Sequence, residues 1–142
     1  MTSTSIALNM IRGTYLVGGD FTEGSISNSV AETELLDYDI PANTVTNGII
    51  IIVVWAAGAS GVGDSNNATI KIKTGTNGSE TLRLTISRRI PKADGKIQEY
   101  NAWYVEDSLD WTLAQTVSIT GQNSESEGDS KTHGNELIVL GY

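Results

Sequence analysis

Carboxylates are the only abundant side chains in this sequence that could carry a reaction. Glu106, Asp107 and Asp110 flank Trp111 within one short stretch, and a glycosidase needs two carboxyl groups about 5–10 Å apart beside a sugar-stacking ring. An acidic surface turn next to a buried Trp meets the same description, and the reading adopted is that the chain is not an enzyme. Asp64-Ser65-Asn66-Asn67 and Glu125-Ser126-Glu127-Gly128-Asp129 offer oxygen donors of the kind Ca²⁺ collects, about six to eight at a time. Neither follows an EF-hand spacing, so both read as solvated loop tips and no metal or cofactor is expected. There is no Cys, which removes thiolate metal sites and thiol nucleophiles. The single His133 lies in a Gly/Ser/Glu-rich stretch and is expected to be exposed, which leaves neither a His-rich centre nor a catalytic triad.

Aromatic rings are the other candidate chemistry. Trp103, Tyr104, Tyr100 and Trp111 could present flat faces to sugars, with Trp103 and Tyr104 as the glycan-binding candidates. Trp111 alternates with Leu113 and Val117 and is expected to be buried on a strand. Tyr100 and Tyr104 fall on one parity and Trp103 with Val105 on the other, so one set must look outward.

The elements that position these residues are strands. A chain of 142 residues supports one core. Leu36, Tyr38 and Ile40 alternate with Asp37 and Asp39; Ala68, Ile70 and Ile72 alternate with Thr69, Lys71 and Lys73; Leu82, Leu84 and Ile86 alternate with Arg83, Thr85 and Ser87. That period of two marks half-buried antiparallel strands. Further strands are expected near Ile11–Val17, Ile49–Ala56, Ile97–Val105, Trp111–Ile119 and Asn135–Gly141, about eight in all. Thr74–Ser79 and Lys92–Lys96 carry turn dipeptides and read as hairpins, while Gly58–Asn67 and Gly121–Gly134 read as longer loops. The expected fold is all-β, an antiparallel two-sheet sandwich of jelly-roll type. Residues 1–30 read as an N-terminal arm, or an extra strand laid on a neighbour, and residues 31–142 as the sandwich domain.

Ile49-Ile50-Ile51-Ile52-Val53-Val54-Trp55 breaks the alternation, because it is apolar at both parities. Something must cover its outer face: either the N-terminal arm of the same chain or a second subunit. Ile50, Ile52 and Val54, or their alternate neighbours, are the interface candidates, with Arg88 and Arg89 at the rim. The net charge of −8 repels phosphate backbones, so no nucleic-acid partner is expected. Residues 71–96 nevertheless hold seven cations against two acids, a local balance of +5, which could dock on the acidic surface of another copy or stand balanced within its own subunit. The longest apolar run is too short to span a bilayer, and no signal peptide is readable after Met1, so no membrane partner is expected.

Glu34 to Gly48, with Tyr38-Asp39-Ile40-Pro41-Ala42-Asn43-Thr44 followed by Asn47-Gly48, resembles the opening of a group of small β-sandwich proteins of tailed phages. In that group a strand ending in Y-x-I-P-A-N-T leads through N-G into a long apolar strand, the place taken here by Ile49–Trp55. Ala68–Lys73 resembles its K-x-L-K-I strand, and Val117–Asn123 its I-x-V-T-G-Q-N strand and turn, so that the likeness runs over residues 34–142. Thr74–Gly78 stands where the group often has F-G-G, and the first 33 residues match nothing in it. The resemblance implies a virion component assembled in the host cytoplasm: a capsid decoration or cement protein, homo-oligomeric and most simply trimeric, partnered by itself and by a major capsid or other virion protein. A receptor- or glycan-binding module of a fibre or tail tip is the alternative that it implies.

Overall fold

A computed structural model describes residues 14–60, 65–91, 97–126 and 130–142. Nine strands account for most of them: β1 (Tyr15–Asp20), β2 (Gly24–Ser27), β3 (Thr33–Ile40), β4 (Ile50–Ala59), β5 (Asn66–Gly75), β6 (Thr81–Ile90), β7 (Gln98–Glu106), β8 (Gln115–Gln122) and β9 (Lys131–Gly141). Local chemistry explains several of their ends. β3 stops at Ile40 because Pro41 has no N–H to give to a ladder. The β5–β6 turn is closed by Ser79 donating to the Thr76 carbonyl at 2.8 Å, with Gly78 at φ +85°, a value few other residues adopt.

Every ladder is antiparallel. Sheet A has the order β1-β9-β4-β7, with β2 also on β9, and sheet B has the order β3-β8-β5-β6. The pairs are nested: β5 with β6, β4 with β7, β3 with β8 and β1 with β9. The chain is thus one long hairpin folded over on itself, which is the jelly-roll arrangement expected from the sequence. Ile50, Ile52 and Val54 of β4 meet Ile70 and Ile72 of β5, Val117 and Ile119 of β8, and Leu137 and Val139 of β9 between the sheets. Burying each such side chain stabilises the fold by about 1.5–3 kcal/mol.

Polar clusters close both ends of this core. At one end the Asn66 amide donates to the Ala59 carbonyl and to Asn123 Oδ1, both at 3.0 Å, and Thr132 donates to the same Asn123 oxygen at 2.7 Å. At the other, Arg83 Nε lies 3.1 Å from the buried Glu106 carboxylate, to which Thr74 and Ser108 donate their hydroxyls.

Several expectations need correction. Residues 14–30 are not an arm, because β1 and β2 pair with β9 inside sheet A; residues 1–13 lie outside the described residues. Trp111 and Leu113 precede β8 instead of lying on it. Trp111 is half-buried in the β7–β8 connection, its Nε1 donating to the Gly48 carbonyl at 2.8 Å, and Leu113 is exposed. Arg83 turns inward and Leu82 outward because a bulge between Ile72 and Lys73 shifts the register, and a one-residue slip exchanges the two faces. Lys92–Lys96 lies outside the described residues, but the strands flanking it are not a hairpin: β6 belongs to sheet B and β7 to sheet A. The two long loops are shorter than expected because β4, β5, β8 and β9 extend into them. Asn66 is accordingly a buried structural residue, not a solvated loop tip.

Candidate functional site

The outer face of sheet A carries an apolar surface assembled from four strands. Cross-strand register builds it row by row. Leu16 of β1 pairs with Leu140 of β9, Leu140 with Ile51 of β4, and Ile51 with Val105 of β7. In the next row Ile138 pairs with Val53 and Val53 with Trp103. In the third, Trp55 stands between Glu136 and Asn101, diagonal to Trp103. Diagonal neighbours across a ladder lie within reach of large rings, about 7–8 Å apart.

Leu16 is 66% exposed, Trp103 56%, Val105 45% and Trp55 44%, while Ile51 at the centre of its row is buried by its neighbours. With strands about 4.8 Å apart and same-face residues about 6.8 Å apart, the eight apolar positions of these rows project to roughly 260 Å². Contiguous apolar patches of that order on soluble proteins mark interaction sites.

The interface phase expected from the sequence is therefore corrected. Ile50, Ile52 and Val54 are fully buried in the core of their own chain, and the outward residues of β4 are their alternates Ile51, Val53 and Trp55. Arg88 and Arg89 are not at the rim of this face either, because β6 is the edge strand of sheet B. The aromatic pair divides likewise. Trp103 and Val105 face outward, whereas Tyr104, paired with Ile52, packs half-buried against the core, so Trp103 and Tyr104 cannot form one platform. The signal that would have completed the face was present in β9, where Leu137-Ile138-Val139-Leu140 is apolar at both parities like β4.

Polar residues border the face at its far end. His133 of β9 and Glu99 of β7 both pair with Ala57, and His133 Nδ1 lies 3.9 Å from a carboxylate oxygen of Glu23. His133 is half-buried on a strand, not exposed in a loop. Burial holds it below its ordinary pKa against the opposing pull of Glu23.

The other candidate chemistry disperses. Glu106 is buried in its end cluster, while Asp110 accepts from the Thr112 amide in its own turn and lines a different surface cleft with Asn43 and Trp111. Among the described residues no three His, Asp or Glu side chains converge on a point that could hold a metal ion, and no helix is long and apolar enough to cross a membrane. The basic segment divides too. Glu32 takes both Lys71 and Lys73, and Arg83 is held by Glu106.

No protein-family model matches this sequence, and no curated protein is similar to it. Solved structures are similar in fold. The viral particle of infectious bursal disease virus, described as T13, matches with TM-score 0.57 and 12% identity over 89% of this chain and 30% of that one. A particle of the Gt strain of the same virus matches with TM-score 0.55 and 13% identity over 91% and 32%. The EclA C-terminal domain, described as a sugar-binding protein, matches with TM-score 0.52 and 13% identity over 88% and 81%. This chain spans about a third of the length of the viral chains it matches. At such identities the likeness is one of architecture, and the architecture shared by capsid and sugar-binding proteins alike is the jelly-roll sandwich.

Proposed function

We propose that this protein is a structural component of a virus particle, of the capsid-decoration type, which works by assembling with copies of itself through the outer face of sheet A. It is not an enzyme in this reading. The observation that carries it is the apolar surface running from Leu16 to Trp103 across four strands. A standard interface buries about 800 Å² on each partner. The face provides roughly a third of that by its projected area, so its polar border must supply the remainder. In a closed ring of three copies each subunit would make this contact twice, once through the face and once through the surface that receives its neighbour's face. The partners are further copies of the chain and a major capsid or other virion protein, held by many weak contacts repeated by symmetry. The tailed-phage resemblance of residues 34–142 and the capsid architecture of the fold neighbours support the same reading.

Light scattering tests it. The purified chain is expected at three times its own mass, and Val53→Asp with Trp103→Asp is expected at one. A monomer at every concentration and salt would sink the assembly. The second reading, a glycan-binding module of a fibre or tail tip, would then gain ground. It is favoured by one specific observation, the exposed diagonal pair Trp55 and Trp103 on one face of sheet A.

A further inference from the structure

A second feature lies away from that face, where two stretches that the assembly does not use come together. Asn43 belongs to the connection from β3 to β4, and Asp110-Trp111-Thr112 to the connection from β7 to β8. Between them opens a cleft of about 430 Å³ walled by Asn43, Val45, Thr46, Leu109, Asp110 and Trp111. That volume falls in the range of small-ligand sites, roughly 300–1,000 Å³.

Hydrogen bonds fix both walls in advance. The Asn43 backbone amide donates to the Trp111 carbonyl at 2.7 Å and Trp111 Nε1 donates to the Gly48 carbonyl at 2.8 Å, so the two connections are tied to each other twice. The first wall is also held to β1: the Tyr15 hydroxyl accepts from the Thr46 amide and donates to the Thr44 carbonyl, both at 3.0 Å. The second is held from beneath by the buried Gln115, whose side-chain amide donates to the Asp110 carbonyl at 2.7 Å. A site ordered before binding spares its ligand the entropy of ordering it.

The chemistry of the walls is mixed. Val45, Leu109 and the half-buried Trp111 are apolar, while Asn43, Thr46 and Asp110 are polar and line the same space. Thr112 donates its amide and its hydroxyl to Oδ1 of Asp110, which leaves Oδ2 open among the described residues. The same bonds hold this carboxyl below its ordinary pKa, so at neutral pH it accepts hydrogen bonds and donates none. A hydrocarbon would strip water from Asp110 and return no hydrogen bond. An anion would be repelled by Asp110 and by the overall charge of −8. A sugar ring meets both demands, because it has an apolar C–H face and a rim of hydroxyl donors. We propose that this cleft binds a neutral saccharide, the C–H face of one ring against Trp111 and its hydroxyls on Asp110 and Asn43.

The chain has three Trp residues, Trp55, Trp103 and Trp111, so the indole N–H signals of the full ¹⁵N-labelled protein report where a sugar sits. Maltotriose, cellotriose, chitotriose and lactose, each titrated to about 20 mM to reach millimolar dissociation constants, are the probes. At least one is expected to shift the Trp111 signal saturably and leave Trp55 and Trp103 in place, with an affinity that does not change as salt rises. Asp110→Asn with Asn43→Gly keeps an acceptor for Thr112 and a residue suited to the φ of +62° at position 43. This double variant is expected to bind about tenfold more weakly, with melting temperature and solution mass unchanged. Any of three results overturns the proposal: no probe moves the Trp111 signal, the signals that move are those of Trp55 and Trp103, or the double variant binds as tightly as the parent. Choline that binds more tightly than every sugar and is released by salt also overturns it, in favour of a cation site. Solution mass read on the same samples scores the assembly separately from the cleft.

Discussion

On the outer face of sheet B, Thr116, Ser118 and Thr120 of β8 are polar and nearly buried, because longer side chains close over them. Thr116 donates to Asp39 at 2.7 Å, Ser118 donates to Glu34 at 3.1 Å, and Thr69 shares a hydrogen bond of 2.7 Å with Ser87. Nearby, Glu32 holds Lys71 and Lys73 together. That face satisfies most of these groups within one chain, the Thr120 hydroxyl being the exception. On sheet A the equivalent central strands, β4 and β9, carry Ile51, Val53, Ile138 and Leu140, and nothing among the described residues covers Trp103 or Leu16. One sandwich thus carries a largely self-sufficient face and one that water penalises in the isolated subunit. The pleat is the same on both, so the side chains alone decide which surface meets a neighbour.

The contrast can be broken from inside out. Ile52→Ala, on the inner face of β4, is expected to cost about 3–4 kcal/mol in chemical denaturation, because it opens a cavity at a fully buried site. The outward neighbour one position along should behave differently: Val53→Asp is expected to abolish assembly by light scattering yet change the stability of the monomer by less than about 1 kcal/mol. Thr116→Val probes the opposite face, where losing one hydrogen bond to a partly exposed carboxylate should cost about 1 kcal/mol and leave the solution mass unchanged.

The smallest effect concerns Glu32. Hydrogen bonds from Lys71 and then Lys73 lower its pKa from 4.5 to about 2. A depressed carboxylate stabilises the fold above its unfolded pKa and loses that contribution as pH falls through the folded value. Glu32→Gln should therefore flatten the loss of stability between pH 4.5 and about 2, by well under about 1 kcal/mol because the pair is partly solvated. A steep acid limb that survives this substitution would place the titration elsewhere on sheet B.

The strands were largely legible because a period of two survives single-residue noise: Ala68, Ile70 and Ile72 point inward and Lys71 and Lys73 outward, as read. The need for a cover on β4 was legible too, since apolar residues at both parities leave no face for water. Which parity faces out was not legible, because two apolar sets look alike until the strands on either side are known. Arg83 shows why local reading fails near a bulge: the slip at Ile72/Lys73 comes from pairing with another strand and leaves no mark in the sequence of β6. Tyr104 and Trp103 are adjacent in sequence, and adjacency on a strand means opposite faces, so a two-ring platform was better sought across the ladder, at Trp55. β2 is only four residues long and lies in Ser/Gly-rich sequence, too short for its alternation to stand out.

The nesting of the ladders also sets a timetable. The β5–β6 turn joins residues 74 and 81, whereas β1 meets β9 through residues 15 and 141. Closing a longer loop costs more chain entropy, and folds rich in such distant pairings mature slowly. β5 and β6 can zip early, followed by β4 with β7 and β3 with β8, while β1 must wait for β9. Since β9 also lies between β1 and β4 in sheet A, the sticky face is incomplete until that last strand seats. A chain still being made, or only half folded, presents scattered apolar strands but no finished docking surface, and self-association is deferred until the subunit is whole.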